Sequence, residues 1–114
     1  MRILFVDNHA ELTSVVTAAF LAAHEVSIVP TIAGARAALA ANAFDVALVD
    51  YDLDDGKGDE LVRSLRAAGS TLKLVAVSSH DAGNAALSRA GADAVCGKLA
   101  FARIEAVIAA TVGK

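Results

Sequence analysis

The sequence has little of what would mark a secreted, membrane-spanning or nucleic-acid-binding protein. It holds a single cysteine, Cys96, which excludes an internal disulfide and fits a reducing compartment. Ten Lys and Arg against thirteen Asp and Glu give a net charge of −3. That is no basic footprint for a phosphate backbone, and it argues against direct nucleic-acid binding. Long apolar runs are missing too. The longest apolar stretch, "VVTAAFLAA", falls far short of the roughly 20 residues a transmembrane helix needs. The opening "MRILFVD" reaches a charge too soon for the apolar segment of a signal peptide. The expectation is a cytoplasmic protein with no membrane contact. Aromatic residues are scarce, with four Phe, one Tyr and no Trp, so Ala, Val and Leu must build the core. At 114 residues the chain is long enough to do so without metal or disulfide support. It reads as one domain over 1–114, with no output domain.

What is present is an alternation. Near-continuous apolar runs, "RILFVD" (2–7), "VSIV" (26–29), "DVALVD" (45–50), "KLVAVS" (73–78) and "DAVCG" (93–97), read as strands covered on both faces. Helical patterns separate them, over about 10–23, 32–41, 58–68, 83–90 and 101–112. In the first, Leu12, Val15, Val16, Ala19, Phe20 and Ala23 share one face. Thr31 is a candidate N-cap for the second, and Gly69 and Gly91 end the third and fourth. Five βα units in series predict an α/β fold. Its form is a doubly wound, five-stranded parallel sheet of order 2-1-3-4-5, the flavodoxin-like (βα)5 arrangement. Ligands in such sheets bind beyond the carboxyl ends of the strands. There the sequence puts Asp7, Asp50, Ser78 and Lys98, four polar residues on one rim.

The stretch "DYDLDDGKGDE" (50–60) concentrates carboxylates after the third strand. An EF-hand loop would align Asp50, Asp52 and Asp54, but it needs Gly where Asp55 stands and Glu where Leu61 stands. A buried strand also precedes this loop, where an EF-hand has a helix. A haloacid-dehalogenase-type phosphatase uses Asp-x-Asp, normally after the first strand of a larger domain with a cap. The motif here follows the third strand of a minimal one.

Taken in order, "ILFVDN", "DVALVDYDL" with its following glycines, "LVAVSS" and "AGADAVCGK" resemble the receiver domain of two-component response regulators. The resemblance covers essentially the whole chain. It implies that Asp50 is the phosphoacceptor and that Asp7 and Asn8 form the metal-holding pair. Asp50 and the backbone carbonyl of Asp52 complete the ligands of Mg²⁺. Ser78 takes the hydroxyl position, Ser79 leaves room for the donor, and Lys98 supplies the positive charge. The chemistry is coherent, because a carboxylate attacking an anionic phosphoryl group needs cations around it. The side chains of Asp52, Asp54 and Asp55 are expected to be a solvated loop. His9, His24 and His80 are expected to be exposed and not to be metal ligands; lining of the site mouth by His9 and His80 is the lesser alternative. Cys96 is expected to be a packed strand residue.

Four positions depart from the family. Asn8 stands where a second acid is usual, which predicts weaker Mg²⁺ binding, with Asp52 compensating. Asp54 replaces a usual Pro. Leu99 follows the lysine in place of proline; a cis bond there would cost about 2.5–4 kcal/mol, so Lys98–Leu99 should be trans. Val95 occupies the switch position and lacks the usual aromatic ring. The resemblance implies a stand-alone receiver of a phosphorelay, phosphorylated by a histidine kinase or histidine phosphotransfer protein and acting on a downstream protein. It implies a stoichiometric acceptor with slow autodephosphorylation, not an enzyme. The alternative is a phosphorylation-impaired pseudo-receiver, a constitutive docking or dimerisation module. The first and last helices are sparsely charged, so their apolar faces are candidate surfaces for a homodimer.

Overall fold

A computed structural model describes residues 1–114. The β-branched runs form a parallel sheet: β1 (Arg2–Val6), β2 (Glu25–Val29), β3 (Val46–Val49), β6 (Lys73–Ala76) and β7 (Ala94–Val95). The order is β2-β1-β3-β6-β7, the doubly wound arrangement expected for the five sheet strands. Two very short strands, β4 (Asp52–Leu53) and β5 (Gly56–Lys57), form a separate antiparallel hairpin. The sequence reading had only a loop there, because two residues per strand carry no readable period.

Helices α1 (Ala10–Phe20), α2 (Ile32–Ala41), α3 (Gly58–Ala67), α4 (Asp81–Ala90) and α5 (Ile104–Val112) connect and flank the sheet. Thr31 caps α2, its Oγ1 accepting from the Gly34 N–H at 2.9 Å. The final helical segment opens as a 3-10 turn, Lys98–Arg103, before α5. The first helix stops at Phe20, shorter than its apolar pattern suggests, and its inward face differs from the expected one. Thr13 and Val16 are the buried residues of α1, whereas Leu12, Val15 and Phe20 are exposed. Thr13 is able to go inside because its hydroxyl donates to the carbonyls of His9 and Ala10.

Each face of the sheet has its own core. Ile3, Phe5, Leu48 and Val75 pack beneath α1 and α5 through Val16, Ile104 and Ile108. Leu4, Val6, Val49 and Leu74 pack beneath α2, α3 and α4 through Ile32, Leu61, Val62 and Leu87. Each fully buried side chain of this size contributes roughly 1.5–3 kcal/mol. Cys96 is packed as expected, but it lies just after β7 and not in the strand; burial pushes its thiol above the ordinary range. Arg66 ties α3 to the far end of the sheet. It donates to the carbonyls of Gly91, Ser70 and Leu72 and pairs with Asp93 at 2.9 Å.

Candidate functional site

Register brings the rim residues together. Val6 pairs with Val49, and Val49 with Ala76, so the residues that follow leave the sheet side by side. The Asp7 N–H donates to the Val29 carbonyl at 3.0 Å, and the Asp50 N–H to the Val6 carbonyl at 2.9 Å. Asp7, Asp50 and Ser78 are all buried polar residues, 1%, 3% and 2% exposed. The backbone N–H groups of Asp7 and Asp50 are still strand-bound while their side chains already stand at the sheet's edge.

The Lys98 ammonium lies between the two carboxylates, 2.7 Å from Asp7 Oδ2 and 3.2 Å from Asp50 Oδ2. It meets both oxygens off the angles of a hydrogen bond, so they have charge contact but no hydrogen-bond partner. Burial is the largest influence on Asp50, and the Asp7 charge adds to it; together they raise its carboxyl above the ordinary 3.8, with Lys98 pulling back. A carboxylate held this way is a stronger base, and so a better nucleophile, than a solvated one.

Glycine makes room for this geometry. A Cβ at Gly58 would lie 1.9 Å from the Asp50 carbonyl oxygen, so only glycine lets α3 start this close to the acidic residue. Gly56 turns the hairpin with φ +153. On the other side Asn84, buried in α4, clamps Ser78. Its Oδ1 accepts from the Ser78 N–H at 2.8 Å and its Nδ2 donates to the Ser78 carbonyl at 3.0 Å. The Ser78 hydroxyl accepts from the His80 N–H at 3.1 Å. Sequence reasoning missed Asn84. Its signal was a side-chain amide at the inward face of a helix, where a group of that kind must find partners.

The acidic loop is not merely solvated. Asp55 reaches across to α2, accepting from the Ile32 N–H at 2.7 Å and the Ala33 N–H at 3.0 Å. Those backbone N–H groups, Ala33 first, hold its carboxyl below the ordinary range. Asp54 Oδ1 accepts from Asn8 Nδ2 at 3.0 Å. Asp52 pairs with Lys57 across the hairpin and is exposed, as expected. The reason for the miss is tertiary: the partners come from α2 and from the turn after β1.

Of the other sequence candidates, Ser79 and His80 are exposed beside the rim. Val95 is 45% exposed and does not fill the site. The chain has no cis peptide bond, so Lys98–Leu99 is trans, and Leu99 projects fully into solvent. His24 belongs to the opposite end of the molecule, its Nε2 2.6 Å from Glu105 Oε1. His9 enters the site itself, with Nδ1 2.9 Å from Asp7 Oδ1 and 3.7 Å from Asp50 Oδ2.

The rim suits a hard divalent cation. Asp7 Oδ2, Asp50 Oδ2 and Asn8 Oδ1 are buried oxygens without hydrogen-bond partners, which is the donor type Mg²⁺ takes. A doubly wound sheet with buried carboxylates and a lysine at one rim defines a class of α/β protein whose chemistry sits at the carboxyl ends of its strands. The response regulator receiver domain model matches residues 3–107, and the chain belongs to that family. No curated protein matches it. Solved structures agree on the fold. A response regulator receiver domain (CheY-like) from Methanospirillum hungatei is 27% identical, with 85% of this chain and 80% of that one covered and a TM-score of 0.74. The receiver domain of the Francisella response regulator 1452 is 15% identical over 98% and 96%, with a TM-score of 0.87. The response regulator TrrA of Thermotoga maritima, solved in complex with Mg²⁺-BeF, is 18% identical over 92% and 93%, with a TM-score of 0.81.

Proposed function

We propose that this chain is a receiver that takes a phosphoryl group on Asp50 from a histidine kinase or a histidine phosphotransfer protein. It then signals through protein–protein contact. One observation carries the reading: the Lys98 ammonium lies within 3.2 Å of Asp50 Oδ2 and 2.7 Å of Asp7 Oδ2 at a buried rim, the charge pattern that phosphoryl transfer to a carboxylate requires.

An Asp50 oxygen forms the new O–P bond as the P–N bond of the donor phosphohistidine breaks, and the imidazole leaves with the electron pair. Lys98 neutralises charge on the incoming group as a mobile point charge. The Ser78 hydroxyl turns from accepting the His80 N–H to donating to a phosphoryl oxygen, which a rotating hydroxyl is able to do. Asp7, Asn8, Asp50 and the Asp52 backbone carbonyl are the residues that would hold a divalent cation. Mg²⁺ there supplies the positive charge that lets two anionic groups meet. The acceptor is consumed once per phosphorylation, so the transfer is stoichiometric. The exposed Leu12, Val15 and Phe20 of α1 give that partner, or a second copy, an apolar surface near the rim.

Incubation with Mg²⁺ and a small acyl-phosphate donor, followed by intact mass, tests the reading. A single phosphoryl adduct on wild type that is absent from Asp50→Asn is the expected result. No adduct under those conditions or with a phosphohistidine donor would favour the second reading, a constitutive docking module. Asn8 and the small, outward Val95 are the observations behind it.

A further inference from the structure

Ser78 stands where β6 has run out of sheet. One residue earlier, the Val77 N–H still donates to the Val49 carbonyl at 3.0 Å. The Ser78 N–H and C=O have both left that ladder, and Ser78 is only 2% exposed, so each group needs another partner. One side chain supplies both. Asn84 Oδ1 accepts from the Ser78 N–H at 2.8 Å, and Asn84 Nδ2 donates to the Ser78 carbonyl at 3.0 Å. A side-chain amide has an accepting end and a donating end, and here both are spent on the same residue. Asn84 is itself buried in α4, 7% exposed. The Lys98 N–H also reaches the Ser78 carbonyl, but at 3.4 Å, so the shorter hold is the one from α4.

The surroundings make that hold matter. A Cβ at Gly83 would lie 2.6 Å from Ser78 Oγ and 2.9 Å from Tyr51 Cβ, so the first turn of α4 lies directly against the hydroxyl. The flank toward β7 is open. Val95 there is 45% exposed, and a cleft of about 270 Å³ is bounded by Ser78, Asn84, Val95, Lys98 and Leu99. A Ser78 released from Asn84 has room to move on that side.

Ser78 carries the hydroxyl that faces the incoming group. Its Oγ accepts from the His80 N–H at 3.1 Å, which leaves the O–H proton to donate. A serine side chain has one heavy-atom torsion with three staggered positions, so the backbone largely decides where Oγ reaches. Ser78 follows β6, the strand paired with β3, and Asp50 follows β3. We propose that Asn84 is a positioning residue for the phosphoryl group: it fixes the Ser78 backbone so that the hydroxyl donates to an oxygen of the group arriving on Asp50. The inference rests on Asp50 being the acceptor.

Time-resolved intact mass of the full chain, with Mg²⁺ and a small acyl-phosphate donor, gives the rate of adduct formation. Asn84→Ala removes both bonds and opens space beside the cleft, where water is able to pair with the freed N–H and C=O without fixing them. Asn84→Leu removes both bonds while keeping the volume, and it separates lost hydrogen bonding from lost packing. Thermal melts set a temperature at which every protein assayed is folded. Each variant is expected to slow adduct formation about three- to ten-fold, the range that one hydrogen bond is worth. In a Ser78→Ala background the same substitutions should change the rate less than about two-fold, because no hydroxyl is left to aim. Equal losses with and without the Ser78 hydroxyl would show that Asn84 only supports the fold, and would overturn the proposal. So would an unchanged rate in both Asn84 variants. No adduct on wild type, from the small donor or from a phosphohistidine donor, removes the acceptor reading and this inference with it; an adduct with equal losses removes the inference alone.

Discussion

At the scale of single residues, the site is held against its own electrostatics. Asp50 is buried beside Asp7, and its carboxyl is raised above 3.8, first by burial and then by that neighbour. The folded state therefore binds the Asp50 proton more tightly than the unfolded chain, and ionisation costs stability as pH rises through the folded value. Asp50→Asn is expected to raise the thermal midpoint by a few degrees at neutral pH. The gain should shrink to nothing as pH falls below about 3.8, where wild type is protonated in both states. Thermal melts of both proteins across pH check this; a variant less stable at pH 7 would show that Lys98 outweighs burial and Asp7 together. The meeting of Asp7, Asp50 and Lys98 at one rim was legible because each ends or follows a recognisable apolar run. His9 is exposed, as expected, and its ring lines the mouth, Nδ1 lying 2.9 Å from Asp7 Oδ1. Only the turn after β1 aims its ring.

At the scale of elements, the β4–β5 hairpin is where local pattern gave least guidance. "DLDDGK" has the composition of a turn, and what it does depends on a helix start 22 and 23 residues before Asp55. Asp55 accepts from the first N–H groups of α2, which stabilises both the helix start and the hairpin carrying Asp52. Its carboxyl is lowered by those N–H groups, so its contribution is present above about 3.8 and fades as pH falls through the folded value. Asp55→Asn is expected to lower the thermal midpoint at pH 7, with wild type and variant converging in acid. Melts that stay parallel at all pH would assign the effect to shape and not to charge. The first helix gives a second lesson. Its apolar residues suggested one inward face, but Thr13 is buried and Val15 exposed. Hydroxyls bonded to their own backbone lose most of their polarity penalty, and hydrophobic periodicity does not see that.

At the scale of the whole molecule, core and site are joined through one turn. Phe101 in the Lys98–Arg103 turn stacks on Phe5 of β1, ring centroids 5.8 Å apart. Those rings anchor the segment that delivers Lys98 to the carboxylates. Phe101→Ala is expected to cost about 3–5 kcal/mol of stability. At a temperature where the variant remains folded, it should also slow acquisition of a phosphoryl group from acyl phosphate. Phe101→Leu keeps most of the volume and should recover much of both. Denaturant unfolding alongside time-resolved intact mass measures the two effects together; a full loss of stability with an unchanged phosphorylation rate would separate the core from the site.

By itself the sequence determined the order of strands and helices and the residues at the strand ends. Apolar runs long enough to be covered on both faces permit few other arrangements, and chemistry at a sheet rim leaves a polar residue where four of the five runs stop. Tertiary structure alone decided which partners those residues meet: Lys98 between Asp7 and Asp50, Asn84 clamping Ser78, Asp55 on α2 and His9 in the rim. Such contacts join positions dozens of residues apart, and charge and hydrogen-bond geometry choose among them only after the sheet's register has fixed where each chain end emerges.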